Sequence, residues 1–282
     1  MLTLLIVAIL PVIVLCWFIY AKDTHKEPGK LLRKIFFLGF FSFIPILICE
    51  IILTLFFDPE KVDSFVLIFL FTFLSVAIVE EGWKWLVVKL NGYNNKEFDE
   101  VYDIIVYSVF ASLGFACIEN ILYVVRNGLG TGFLRALLSV PGHTCFGVIM
   151  GYFFSRAKVA SINNQQSVYK KNLALSILMP SLFHTMYDSL IFYYSVSLEG
   201  SIYSLFIIYH IVSVILCIWI VLRVSKVQEV LNKSVEKGII SNDGDGHIVF
   251  HNNEKLDIHF CPVCGSPVGD GNFCGKCGCK IR

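Results

Sequence analysis

Residues 65–90 read FVLIFLFTFLSVAIVEEGWKWLVVKL, one apolar run with Glu80, Glu81 and Lys84 set inside it. A helix needs about 20 such residues to cross the hydrocarbon of a bilayer, and this run is long enough. An ionisable side chain at that depth costs about 2.5–3.5 kcal/mol even on the lenient insertion scale. Their presence in one span marks a membrane helix and also a place where chemistry is done.

The rest of the chain agrees. Of 282 residues, 56% are hydrophobic and 16% charged, with a mean hydropathy of +0.71. Soluble domains run near ~45–50% apolar and ~25% charged. The composition excludes an ordinary cytosolic enzyme, a disordered chain and a disulfide-stapled secreted module. The net charge of +1 leaves no basic surplus for nucleic acid. Further apolar runs cover 2–20, 31–57, 101–125, 133–154, 173–196 and 202–222. The expected fold is an all-α polytopic membrane protein with about seven transmembrane helices.

Loop charges orient it. Lys22, Lys26, Lys30, Arg33 and Lys34 follow the first run. Arg156, Lys158, Lys170 and Lys171 separate the fifth from the sixth, and Arg223 and Lys226 follow the seventh. The alternate loops are poorer in basic residues, which predicts the N-terminus outside and the C-terminus in the cytoplasm. The loop 91–100 goes against this pattern, being more acidic than basic although assigned inside. The first run lacks a basic n-region and a small-residue cleavage site, so it reads as a retained helix rather than a signal peptide.

The membrane domain is expected over 1–225, followed by a linker over 226–258 and a small cytoplasmic zinc ribbon over 259–282. Cys261-Pro-Val-Cys264 and Cys274-Gly-Lys-Cys277 are two CxxC knuckles, whose four thiolates complete a tetrahedral structural Zn²⁺ site. Cys279 is a fifth thiol that can compete as a ligand. A predicted cytoplasmic tail disfavours disulfides. From Lys226 onward, seven basic residues face seven acidic ones, which argues against nucleic acid as the ribbon's unknown partner. The other cysteines lie in apolar spans and read as small buried hydrophobes.

Within the third span, Lys84 is one helical turn from both Glu80 and Glu81 and can approach either carboxylate. A lone Glu–Lys pair would read as an interhelical ion pair. A doubled glutamate with one cation instead leaves a carboxylate able to act as a base towards water. The fourth span carries Glu119 and Asn120, the fifth Pro141-Gly142-His143-Thr144, and the sixth Pro180 followed by His184 and Asp188. His184 and Asp188 share a helix face, so the carboxylate can orient the imidazole. Each proline is expected to open the backbone beside its histidine. Counting along the spans brings Glu80, Glu119, His143 and His184 within roughly 15 Å of one another along the membrane normal. Glu50 and His210 are also intramembrane but carry no partner motif, and read as structural or channel-lining.

The ordered set EExxK (Glu80, Glu81, Lys84), FxxxEN (Phe115, Glu119, Asn120), HxxxG (His143, Gly147) and HxxxD (His184, Asp188) resembles the PrsW family of bacterial intramembrane proteases. The resemblance covers about 65–192. It implies an intramembrane peptidase of the bacterial cell membrane. The implied reaction is site-1-type cleavage of a single-pass anti-sigma factor, which releases an extracytoplasmic-function sigma factor. It also implies that the paired glutamates are essential and that the histidines support them. Two mechanisms stay open. Glu119, His143 and His184 can ligate a catalytic Zn²⁺ while Glu80 or Glu81 activates its water. Alternatively, a glutamate activates water directly while His143 and Asn120 hold the oxyanion. Two other functions compete: a proton-coupled transporter, which would favour inverted repeats that the sequence lacks, and a non-catalytic sensor acting through the zinc ribbon.

Overall fold

The computed structural model describes residues 1–55, 64–162, 164–236, 240–242 and 248–250. The described chain is helical apart from one small antiparallel hairpin. Its elements are α1 (Leu2–Ala21), α2 (Gly29–Phe41), α3 (Phe43–Thr54), α4 (Phe65–Thr72), α5 (Ile78–Val88), α6 (Asp103–Asn127), α7 (Leu129–Leu137), α8 (Ser139–Ile162), α9 (Gln166–Ser197) and α10 (Gly200–Glu236). The hairpin pairs β1 (Ile240–Asn242) with β2 (Ile248–Phe250), Ile240 opposite Phe250. The knuckle cysteines Cys261, Cys264, Cys274 and Cys277 lie outside the described residues.

Among the described residues, six stretches are long and apolar enough to cross a membrane: Leu2–Ala21, Gly29–Leu53, Phe65–Tyr93, Asp103–Asn127, Leu129–Ile162 and Gly200–Glu229. The run expected at 173–196 does form a helix, α9, but it is not among them. Asn172, Ser176, Ser181, His184, Thr185 and Ser189 are buried along it, and these polar groups lower its hydropathy. The expected linker also begins later than composition suggests, since α10 continues through Glu236.

Local chemistry explains the breaks. The second apolar run divides at Ser42, whose hydroxyl donates back to the Gly39 carbonyl at 2.6 Å. Pro45 then removes a further helical donor. Two π-helical turns, Phe73–Ala77 and Lys89–Tyr93, flank α5. Such turns frequently accompany functional sites because they re-aim side chains. Pro141 stands in the first turn of α8, where no helical donor is needed, and α9 runs on through Pro180. Neither proline breaks its helix, contrary to the expectation of opened backbone.

The core is built around α6, which is buried along most of its length against α1, α2 and α8. α2 and α6 cross at Gly39 and Gly114. A Cβ on Gly39 would stand 2.1 Å from the Ala111 carbonyl oxygen, and one on Gly114 2.0 Å from that of Phe36. Only glycine permits that approach, as in other close-packed membrane helices. Trp17, Phe37, Ile44, Phe133 and Trp219 point outward from the helices, an apolar rim suited to lipid.

Candidate active site

Four helices converge on Lys84. It projects from α5 with Glu80 and Glu81 one turn earlier, and all three are buried. Lys84 Nζ donates to Glu80 Oε2 at 2.9 Å and to Glu81 Oε1 at 2.8 Å. It also lies 3.3 Å from His143 Nδ1 on α8 and 4.2 Å from the centre of the Phe115 ring on α6. An ammonium buried among carboxylates, an imidazole and a ring face is held by charge-assisted hydrogen bonds and by the ring's quadrupole.

On one side, His184 of α9 places Nδ1 3.1 Å from Glu81 Oε1 and Nε2 3.2 Å from Asp188 Oδ2. Its ring stacks on Phe146, centroid to centroid 4.7 Å. Carboxylate, imidazole and carboxylate thus form one line, with the ring's rotation fixed by the stack. On the other side, His143 Nε2 lies 2.9 Å from Glu119 Oε2. The same oxygen pairs with Arg135 of α7 at 2.9 Å. Ser112 donates to the His143 carbonyl at 2.7 Å, tying α8 to α6. Gly147 lets these helices meet: a Cβ there would stand 2.9 Å from Val109 Cα.

The structure therefore brings together Glu80, Glu81, Lys84, Glu119, His143, His184 and Asp188. Asn120 is adjacent but turned away. Its amide donates to the Ala8 carbonyl at 2.7 Å and its oxygen accepts from Arg135 Nε at 2.9 Å. It braces α1 against α6 and α7 rather than presenting a donor to the carboxylates. Glu50, on α3, lies within electrostatic reach of Glu80, Glu119, His184 and Lys84. His210 lies 3.1 Å from the Leu137 carbonyl oxygen and packs on Phe206 and Tyr187, a structural placement. Arg135 was invisible as a site residue in the sequence, where it reads as one more loop charge. Its nearness to Glu119 depends on the short helix α7 folding back against α6.

One donor atom each from Glu80, Glu81 and His184 falls within 4.8 Å of the others. Among the described residues, Glu81 Oε2 is buried without a hydrogen-bond partner. The Asp188 carboxylate behind the imidazole is the usual support of a metal-ligating histidine. Two carboxylates and an imidazole, with an orphaned oxygen among them, fit a divalent metal ion. The set differs from the Glu119, His143 and His184 combination that the sequence suggested; Glu119 and His143 instead pair with each other at 2.9 Å.

A helical membrane bundle with a buried Glu-Glu-His donor set beside a lysine has groups that can activate water within a membrane. The family profile of PrsW family intramembrane metalloproteases matches residues 27–220, and the chain belongs to that family. It is 39% identical over 188 residues to Protease PrsW of Oceanobacillus iheyensis, covering 67% of this chain and 82% of the relative. It is 38% identical over 181 residues to Protease PrsW of Bacillus subtilis, covering 64% and 78%. Protease PrsW of Clostridioides difficile is 35% identical over 192 residues, covering 66% and 78%. No solved structure matches. The protein is a membrane-embedded peptidase of the multi-pass kind.

Proposed function

We propose that this peptidase cleaves a single-pass membrane protein, an anti-sigma factor, near the outer side of a bacterial cell membrane, and that Glu80 and Glu81 activate the water. The observation that carries this reading is the Glu80–Glu81–His184 cluster on Lys84. Glu81, fully buried and held by Lys84 and His184, is the fixed member. Glu80 is the more accessible of the two and accepts the water's proton at its carboxylate. Lys84 offsets one negative charge and bridges the two carboxylates. Asp188 and Phe146 hold His184 in place. His143 accepts from Lys84 at Nδ1 and donates to Glu119 at Nε2, so it positions the lysine beside the two glutamates. Glu80, Glu81 and His184 would hold a metal ion, which supplies Lewis acidity and a more acidic bound water when present.

We further propose seven crossings, with α9 as the additional one, the N-terminus outside and the C-terminus cytoplasmic. Ser225 near the end of α10 donates to the Lys22 carbonyl just after α1 at 2.6 Å, so these two helix ends share one face of the bundle. The C-terminal knuckles Cys261, Cys264, Cys274 and Cys277 are proposed as a structural Zn²⁺ ribbon that binds a regulatory partner.

The test is co-expression with a tagged single-pass substrate. Wild type should release the shortened fragment. Glu80→Gln and Glu81→Gln should each abolish release while still accumulating in the membrane, and His184→Ala should weaken or abolish it. Near-wild-type cleavage by either glutamate variant would remove the water-activation role.

A further inference from the structure

The acidic loop that broke the charge pattern folds into a second site. Five carboxylates gather where the loop after α1, the loop before α6 and the end of α10 meet. Asp23, Glu100 and Asp103 bring one oxygen each within 4.8 Å of the others, and Glu27, Asp99 and Asp103 form an overlapping group. Asp23, Glu27, Glu100 and Asp103 are all more than nine-tenths buried.

The three carboxylates of the first group are built alike. Each has one oxygen anchored and the other bare. Asp23 Oδ2 accepts from the Glu27 backbone N–H at 3.3 Å. Glu100 Oε1 accepts from Asn232 of α10 at 2.9 Å and pairs with His25. Asp103 Oδ2 accepts from the backbone N–H groups of Asp99 at 3.1 Å and Glu100 at 2.6 Å. Among the described residues, Asp23 Oδ1, Glu100 Oε2 and Asp103 Oδ1 are buried and find no hydrogen-bond partner. A buried carboxylate oxygen without a partner carries a large desolvation cost, and three together repel one another. The nearby lysine does not relieve this, because Lys26 Nζ donates to the backbone carbonyls of Tyr20 and Asp23, both at 2.6 Å.

We propose that Asp23, Glu100 and Asp103 form a binding site for a hard divalent cation of the Ca²⁺ kind, with Glu27 and Asp99 beside it. The three grouped donors are all carboxylate oxygens, which selects a hard ion. Three to five carboxylates exceed the one or two that Mg²⁺ sites commonly use, so Ca²⁺ fits better. The site is separate from the peptidase centre: about 24 Å of α6 lies between Asp103 and Glu119. Its role would be to clamp α10 and the loop after α1 onto the base of α6. Gln228 of α10 already accepts from the Val101 N–H at 3.1 Å there.

The experiment is thermal unfolding of the chelator-treated full-length protein in detergent, with CaCl₂, MgCl₂ or MnCl₂ added at constant ionic strength. At a hundredfold excess over Kd, CaCl₂ should raise the midpoint by roughly 5–10 °C, and MgCl₂ by less. Asp103→Asn and Glu100→Gln, which leave the Glu80–Glu81–His184 set intact, should each lose that increment. No response of the wild type to any of the three salts at millimolar concentration overturns the proposal. So does a full response retained by both variants. Terbium luminescence of the wild type, excited through Tyr107 beside Glu27, serves if the variants do not accumulate. A Tb³⁺ signal displaced by CaCl₂ supports the site, and the absence of a displaceable signal overturns it.

Discussion

Lys84 Nζ lies 2.8 Å from Glu81 Oε1, and both side chains are wholly buried. Glu80 is the third member of this buried set, at 2.9 Å. Removing one partner of a buried pair costs about 3–5 kcal/mol because the remaining charge is left uncompensated. Lys84→Met should therefore be worse tolerated than Glu81→Gln. We expect low accumulation of Lys84→Met in membranes, restored when Glu80→Gln and Glu81→Gln are added in the same chain, although cleavage stays lost. Normal accumulation and thermal midpoint of Lys84→Met alone would show that the buried triad does not form.

Asp188 touches His184 alone among the paired site residues, at 3.2 Å, so it acts by positioning. Removing such a carboxylate from a ligating or catalytic histidine usually costs about 10–100-fold in metal affinity or activity. Asp188→Asn should lower kcat by that order with KM nearly unchanged, since the substrate-binding surface is untouched. A rise in KM with constant kcat would place Asp188 in substrate binding instead.

Much of this site was legible in the sequence because intramembrane charge is so expensive. Glu80, Glu81, His143 and His184 could be singled out by cost alone, and their spacing gave Lys84 and Asp188 one helical turn away. Four things were not legible. The apolar run 173–196 reads as an ordinary span, but Asn172, Ser176, Ser181, His184, Thr185 and Ser189 of α9 are buried in the bundle, and a run of apolar letters does not show which face turns inward. Asn120 looked like an oxyanion donor, yet its amide reaches the Ala8 carbonyl, a contact between α1 and α6 that local spacing cannot reveal. Arg135 reaches Glu119 only because α7 folds back against α6. The loop 91–100 appeared as an exception to the charge rule, and only the fold brings it against Asp23 and Glu27.

Gly147 and Gly82 make a matched test of helix approach. A Cβ on Gly147 would stand 2.9 Å from Val109 Cα and 3.0 Å from the Ser108 carbonyl, both backbone atoms that cannot swing aside. A Cβ on Gly82 would meet Ile177 Cδ1 at 3.8 Å, an ordinary contact. Gly147→Ala should destabilise by about 1–3 kcal/mol, the usual range for overpacking. It should also lower cleavage, because α8 carries His143 towards Glu119 of α6. Gly82→Ala should be near neutral in thermal unfolding. Equal midpoints for the two variants would mean that α6 and α8 do not pack this closely.

Metal analysis separates the ribbon from the membrane core, provided the cut respects α10. Truncation at Lys226 would remove Gln228 and Asn232, which hold the loop before α6. The chain should instead end after Glu236, where α10 ends. Wild type should carry a transition metal at both sites. The truncated protein should keep only the ion of the Glu80–Glu81–His184 set, and His184→Ala in that background should lose it. Cys261→Ser should lower the zinc content of the full chain without reducing the membrane-inserted amount, because a structural zinc site supplies the folding energy of its own small module. If the truncated protein binds no transition metal even after add-back, yet still cleaves substrate, the glutamates work on water unaided. If add-back restores both the metal and cleavage, the metal-assisted mechanism holds.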